Sequence, residues 1–278
     1  MKSSTQLKAL IRNLSKEKKI DAHILMRNYM LERFLERISL SPYKNNFILK
    51  GGMLVSAMVG IDARATMDMD ATIKGYPLSE ETIRPILETI LSVPIDDEVK
   101  MTVKNIGLIH EESEYGGLRV SIETLFDGVR TPLKIDITTG DKITPKEITY
   151  KFELMFEKRS INILAYNLET VLAEKLETTI TRGITNTRMR DFYDIHILQK
   201  LYSDTINPNN LKAALLATTN ERGTSALLSE WEKNISMISN DKGLQSLWKD
   251  YQNKFSYAED ISWDEIVRSF KLLWEKVV

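Results

Sequence analysis

The chain has 278 residues, which is enough for one large domain or two modest ones, and we expect two. Its 38 lysines and arginines nearly balance its 39 aspartates and glutamates, so a bound polyanion would have to be held by a local positive cluster. Because the chain has no cysteine, disulfides, thiolate nucleophiles and the common structural zinc sites are excluded.

The amino-terminal segment, "MKSSTQLKALIRNLSKEKK", is basic but lacks the continuous apolar core of a signal peptide. No run elsewhere in the sequence approaches the length of a membrane span. We therefore expect a cytoplasmic protein that has no membrane partner.

The first predicted elements are two helices within residues 6–40, where apolar side chains recur every three or four positions. Asp21 is placed to cap the second helix. Next, "NNFILK" is typical of a short buried strand, and it runs directly into Gly51 and Gly52. A further helix of small and apolar residues is predicted after this glycine pair.

The segment "TMDMDATIK", residues 66–74, alternates between apolar and polar side chains and predicts a strand. Asp68 and Asp70 would share one face of this strand. The other face would carry the apolar side chains Met67, Met69, Ala71 and Ile73. A capped helix over residues 79–91 follows, with Pro85 in its first two turns.

Three segments with β-branched alternation then predict neighbouring strands of one sheet, over residues 98–113, 116–126 and 131–140. A closing hairpin is predicted over residues 147–156 and 160–166. The later patterns are helical, over residues 168–182, 188–202, 207–220, 227–238 and 262–277. The sequence therefore predicts an α+β fold with two domains: a mixed-sheet domain with N-terminal helices over 1–165, and a helical domain over 166–278.

Two aspartates on one face of a strand repel each other unless a cation lies between them. Mg²⁺ prefers carboxylate oxygens and keeps positions open for phosphate, so Asp68 and Asp70 predict a magnesium site. Asp136 in "LKIDIT" offers a third carboxylate, because its neighbours Ile135 and Ile137 face the opposite side of their predicted strand.

The glycine pair suggests a place for phosphate. A Gly51-Gly52 turn between strand and helix would let backbone N–H groups approach a phosphate at the positive end of the helix dipole. Each signal alone is ordinary, because glycine pairs are commonly plain turns and an Asp-x-Asp pair is commonly a solvated strand face. The order strand, glycine pair, helix, Asp-x-Asp strand and later single aspartate is far more restrictive.

Four segments in this order resemble the nucleotidyltransferase superfamily of DNA polymerase β type, and within it the AbiEii/AbiGii-type toxins of bacterial abortive-infection and toxin–antitoxin systems. They are "LKGGMLVSAMVGIDARATMDMDATI", "LKIDIT", "LAEKLETTITR" and "RMRDFYDI". The resemblance implies a nucleotidyltransferase-type mixed sheet with flanking helices, followed by a C-terminal α-helical bundle. One departure is Met53, which stands where many of these toxins have a hydroxyl residue, so phosphate binding would depend on backbone amides and cations.

The resemblance also implies roles for individual side chains. Catalytic roles, with metal binding by the first three, are implied for Asp68, Asp70, Asp136, Lys175 and Asp191. Nucleotide contacts are implied for Gly51, Gly52, Arg64, Thr66, Lys175 and Asp194. Asp191 matches the family pattern better than Asp194, and which of the two is functional stays open, since one of them could hold Lys175 while the other is structural.

The densest positive cluster beside the last two motifs is "TRGITNTRMR", which carries Arg182, Arg188 and Arg190. This segment is either an exposed turn between helices or a surface that receives an RNA backbone.

These features predict a Mg²⁺-dependent nucleotidyltransferase toxin that transfers NMP from NTP to an RNA acceptor, with the 3′ end of tRNA as the leading candidate. Growth arrest or phage defence would follow. The family implies a cognate antitoxin encoded nearby, and whether it contacts the toxin directly stays open. Two other interpretations stay open as well: transfer to a small hydroxylated molecule such as an antibiotic, and an inactive regulator that only binds nucleotide.

Overall fold

A computed structural model describes residues 3–109 and 116–277. They form two compact units. The first unit contains the chain up to Asp141 together with Ile148–Ala165, and the second contains Lys142–Glu147 and the chain from Tyr166 onward. Lys142–Glu147 is held within the second unit by Asn167, whose Nδ2 donates hydrogen bonds of 2.9 and 2.8 Å to two backbone carbonyls of the 144–146 segment.

A mixed sheet forms the centre of the first unit. Within the described ranges it has seven strands: β1 (Phe47–Lys50), β2 (Met69–Ile73), β3 (Lys100–Leu108), β4 (Leu118–Phe126), β5 (Val129–Thr139), β6 (Ile148–Glu153) and β7 (Ser160–Ala165). Their order across the sheet is β3-β4-β5-β2-β1-β7-β6. The β2/β5 and β1/β7 pairs are parallel and the other neighbours are antiparallel, which confirms the predicted mixed sheet and closing hairpin.

Four helices accompany this sheet in the described part of the first unit: α1 (Ser4–Lys18), α2 (Ala22–Leu40), α3 (Gly51–Val59) and α4 (Glu80–Leu91). The predicted cap of α2 is confirmed, because the Asp21 carboxylate accepts a hydrogen bond from the His23 amide. Pro85 lies inside α4, in its second turn, as expected. The end of one predicted strand, residues 110–113, lies outside the described residues.

The prediction that residues 66–74 form one alternating strand is wrong at its start. β2 begins only at Met69, and Met67 is 45% exposed instead of facing the core. The reason is that β1 ends at Lys50, which pairs with Asp70, and the chain then turns into α3. The backbone before Met69 therefore has no β1 neighbour, and Asp68 lies in the bend that leads into β2.

The regular secondary structure of the second unit, within its described residues, is helical: α5 (Leu168–Arg182), α6 (Met189–Tyr202), α7 (Pro208–Arg222), α8 (Trp231–Asn240), α9 (Lys242–Lys254) and α10 (Trp263–Glu275), with short 3₁₀ turns between some of them. The helix α9 was not predicted, and its buried face consists of only Leu244, Trp248 and Tyr251. Polar residues fill its other positions and dilute the helical pattern. Among the described helices, none is long and apolar enough to cross a membrane.

Candidate active site

A row of four charged side chains crosses the middle of the sheet in the first unit. Lys50 at the end of β1 lies opposite Asp70 on β2. Asp70 in turn lies opposite Asp136 on β5, and Asp136 lies opposite Arg119 on β4. Directly opposed residues of neighbouring strands project from the same face of a sheet, so the charges follow one another as plus, minus, minus, plus. We call these four residues the charge row.

Arg119 closes one end of the charge row. Its Nε donates to Oδ1 of Asp136 at 2.9 Å, and its Nη2 donates to Oδ2 at 2.7 Å. These hydrogen bonds and the negative charge of Asp136 raise the pKa of the Arg119 guanidinium, and the more distant Asp68 and Asp70 carboxylates add to the effect. Sequence alone could not decide which face of the sheet Arg119 occupies, and so this clamp was not predicted.

Lys50 closes the other end. Its Nζ lies 2.5 Å from Oδ2 of Asp141, which also accepts a hydrogen bond of 2.7 Å from the Thr138 hydroxyl. Asp141 was not predicted as part of the site. Its only signal in the sequence is an acidic residue soon after the strand that carries Asp136.

The glycine pair faces Asp70. Gly51 adopts a φ of 64°, and a Cβ atom added to it would lie only 2.7 Å from Cγ of Asp70. The amide of Gly52 points to Oδ2 of Asp70 across 3.4 Å, which is a long hydrogen bond. The glycine turn, where a phosphate was expected, therefore faces the carboxylate of Asp70.

Burial raises the pKa of the Asp70 carboxyl, and the neighbouring carboxylates of Asp136 and Asp68 raise it further. The Lys50 ammonium and the Gly52 amide act in the opposite direction without cancelling the shift. A cation placed among these three carboxylates would therefore relieve a real electrostatic cost.

Arg64 and Thr66 lie behind the glycine turn. The Arg64 side chain is only 2% exposed, and its Nη1 donates to the carbonyl of Ala65 at 2.7 Å. A Cβ atom on Gly52 would come within 2.9 Å of Nη2 of Arg64 and 3.0 Å of the Thr66 hydroxyl. Arg64 and Thr66, for which nucleotide contacts are expected, are thus buried side chains that pack against the glycine turn.

We expect Gly51→Ala to destabilise the protein more than Gly128→Ala. Both glycines have a positive φ, 64° and 78°, and each substitution should cost about 1–2 kcal/mol of backbone strain. Only the Cβ at position 51 would collide with a side chain, because nothing lies within 4 Å of the corresponding atom at Gly128. Urea unfolding of both variants measures the difference, and equal losses of stability would show that Asp70 does not constrain the turn.

The three predicted metal ligands have the donor chemistry that Mg²⁺ requires. All are carboxylates, Asp70 and Asp136 are neighbours in register, and Asp68 is exposed just before β2. Across residues 3–109 and 116–277, however, no three acidic or histidine side chains already converge as a metal-binding group. Both oxygens of Asp136 instead accept hydrogen bonds from Arg119. The donor set fits Mg²⁺, while its present hydrogen bonds compete with metal binding.

In the second unit, Lys175 of α5 binds both acids of the fourth motif. Its Nζ lies 2.8 Å from Oδ1 of Asp191 and 2.7 Å from Oδ2 of Asp194. Although burial alone would lower the pKa of this lysine, the two carboxylates together raise it above its ordinary value. Asp194 is fully buried and Asp191 is 18% exposed. The structure therefore brings together the three functional candidates of the third and fourth motifs, and both aspartates bind Lys175.

The arginines of the predicted RNA-binding segment differ in exposure. Arg188 and Arg190 are exposed at the start of α6, and no other described side chain forms an ion pair with either of them. Arg182, the last residue of α5, is half-buried, and its Nε is fully enclosed. A polyanion at this segment would meet Arg188 and Arg190 first.

Comparison with known proteins identifies a matching family and similar folds. The family model described as "Nucleotidyl transferase AbiEii toxin, Type IV TA system" matches residues 33–269. The fold is similar to that of a candidate nucleotidyltransferase from H. pylori, with a TM-score of 0.52 at 17% identity over 93% of this chain and 97% of the other. It is also similar to JHP933 from Helicobacter pylori, with a TM-score of 0.51 at 17% identity over 93% and 94%. No curated protein sequence matches the chain.

Proposed function

The chain belongs to the AbiEii family of nucleotidyltransferase toxins, and on that basis we propose that it is a Mg²⁺-dependent enzyme that transfers NMP from NTP to an RNA acceptor. The observation that supports this proposal most is the position of Asp70 and Asp136 side by side on β2 and β5, with Asp68 just before β2. The 3′ end of tRNA is the first acceptor to test. Growth arrest or phage defence, countered by a cognate antitoxin, would be the consequence in the cell.

Asp68, Asp70 and Asp136 would hold the metal. Bound there, Mg²⁺ would neutralise charge on the triphosphate and favour ionisation of the acceptor hydroxyl. The protein's own contribution is mainly positioning and electrostatics, because phosphoryl transfer requires little covalent chemistry of a protein. Gly51 lets the α3 turn pass close to Asp70, and Lys50 lowers the cost of charge at Asp70. Lys175, held by Asp191 and Asp194, is proposed to act on the nucleotide.

Incubation with each of the four labelled NTPs, Mg²⁺ and total RNA tests the proposal. We expect one or more NTPs to label RNA, and we expect EDTA to stop the labelling. Alkaline hydrolysis of RNA labelled in the base would show whether the addition is at the 3′ end, because only the 3′-terminal residue is released as a nucleoside. Labelling of a small-molecule fraction in place of RNA would support an antibiotic-modifying type of enzyme, and nucleotide binding without any transfer would support an inactive regulator.

Neutralising Arg188 and Arg190 together with glutamine should weaken RNA binding across sequences. Each phosphate contact contributes about 0.7–0.9 units to the slope of log affinity against log salt, so the loss of two contacts should reduce the slope by about 1.4–1.8 units. The measurement is a salt titration of RNA binding, with NTP binding as the internal comparison. Arg268→Gln combined with Lys249→Gln is the control, since these exposed cations lie on α10 and α9. An unchanged slope in the Arg188/Arg190 variant would place the RNA elsewhere.

A further inference from the structure

Asp136 has two candidate cationic partners, the proposed metal ion and Arg119. It is the proposed metal ligand on β5, yet both of its carboxylate oxygens accept hydrogen bonds from Arg119, at 2.9 and 2.7 Å. A guanidinium that binds a carboxylate with two parallel donors occupies a lone pair on each oxygen and holds a positive charge beside the place where a metal ion would bind. Arg119 and a metal therefore compete for Asp136.

We propose that Arg119 is an exchangeable counter-cation of the metal site: it neutralises Asp136 when no metal is bound and releases this carboxylate when Mg²⁺ enters. The proposal rests on the proposed function, because it requires Asp136 to be a metal ligand. Arg119 thereby sets the metal affinity of the site, and it is a positioning residue for Asp136.

The charge row explains why a counter-cation is needed at this place. Asp136 is directly opposite Asp70, so the two carboxylates repel each other in the absence of a nearby positive charge. Lys50 cannot serve both of them, because its ammonium lies at the far end of the row and binds Asp141 at 2.5 Å. Arg119 is the cation in register with Asp136.

The surroundings of Arg119 allow this exchange. Its side chain is 48% exposed, whereas that of Asp136 is 20% exposed. The guanidinium can therefore leave Asp136 for water without creating a buried unpaired charge, and an exposed ion pair of this kind is weak enough to be broken by a ligand. By contrast, the buried Arg37 of α2 binds both oxygens of Asp97, and both side chains are at most 4% exposed. Breaking that pair would leave two buried charges without each other, so it is a permanent structural pair.

Removing the Arg119 charge frees the oxygens of Asp136 and also removes a positive charge from beside the metal, so both changes tighten metal binding. We expect Arg119→Gln to bind Mn²⁺ about three- to tenfold more tightly than the wild type. Arg119→Lys, which keeps the charge but lacks the two-donor fork, should fall between them.

Mn²⁺ affinity is measured by the electron paramagnetic resonance signal of free Mn²⁺, on the full chain without nucleotide. Thermal melts in EDTA and in Mn²⁺ give a second readout. Arg119→Gln should melt at a lower temperature than the wild type in EDTA, where Asp70 and Asp136 repel each other without a counter-cation, and should gain more from Mn²⁺. Arg130→Gln is the matched control, because Arg130 is an exposed arginine on the same strand as Asp136. Its side chain is 72% exposed, and its Nη1 lies 3.7 Å from Oε2 of Glu123, away from the charge row. The Arg130→Gln variant should bind Mn²⁺ as the wild type does.

Asp136→Asn separates the two levels of the proposal. If the wild type binds Mn²⁺ and Asp136→Asn loses that affinity, Asp136 is a ligand and the proposed metal site stands. Arg119→Gln with unchanged or weaker Mn²⁺ affinity would then overturn the counter-cation proposal alone. If Asp136→Asn binds Mn²⁺ as tightly as the wild type, both the assignment of Asp136 as a metal ligand and the role of Arg119 are wrong.

Discussion

Asp70→Asn is expected to reduce nucleotide transfer by at least about 100-fold while leaving the free energy of unfolding unchanged or higher. Changes to residues that merely support metal ligands already cost about 10–100-fold, and Asp70 is itself a proposed ligand. The raised pKa of this carboxyl means that its negative charge costs free energy in the folded protein, and asparagine has a similar shape without that charge. The substitution also ends the repulsion with Asp136.

Transfer of label from NTP and urea unfolding in EDTA are the two measurements. Asp96→Asn is the matched control, because Asp96 is an exposed aspartate of the same unit outside the charge row, and its replacement should change neither quantity. A large loss of stability in Asp70→Asn would make Asp70 a structural residue that holds the glycine turn. Full activity in a folded variant would remove Asp70 from the proposed site.

The order of the elements could be predicted because each has its own local signal. The cap at Asp21, the apolar strand before Gly51 and the alternation in β4 and β5 are properties of neighbouring residues, and the structure confirms them. The start of β2 could not be predicted in this way. Where a strand begins depends on the length of its partner, and β1 already ends at Lys50.

The pairing of charges is likewise a property of register. Arg119 and Asp136 are 17 positions apart in sequence, and Lys50 and Asp141 are 91 apart. Alternation shows which residues of one strand share a face, but it does not show which residue of the next strand lies opposite. The charge row therefore needed the three-dimensional structure, whereas its two aspartates were identified from sequence.

Lys175→Ala now has a different expected outcome from the one that helix propensity alone suggests. Alanine is a good helix former, so the sequence predicts a folded variant that has merely lost its lysine. In the structure, however, Lys175 is the cation that binds the fully buried Asp194 as well as Asp191. Removing it leaves a buried carboxylate without that partner, which costs about 3–5 kcal/mol. We expect Lys175→Ala to lose both stability and NTP-dependent transfer.

A double variant separates these two losses. Lys175→Met combined with Asp194→Asn removes both buried charges and fills the space of the lysine chain, so most of the stability should return while transfer stays absent. Arg222→Met is the matched control, because this substitution breaks the buried ion pair between Arg222 of α7 and Glu177 of α5. The Arg222→Met variant should be less stable than the wild type but active at a temperature where it is folded. Urea unfolding and label transfer are compared at that temperature. Restored transfer in the Lys175→Met, Asp194→Asn variant would show that Lys175 only supports the fold, because a residue that acts on the nucleotide cannot be replaced by a neutral side chain of similar length.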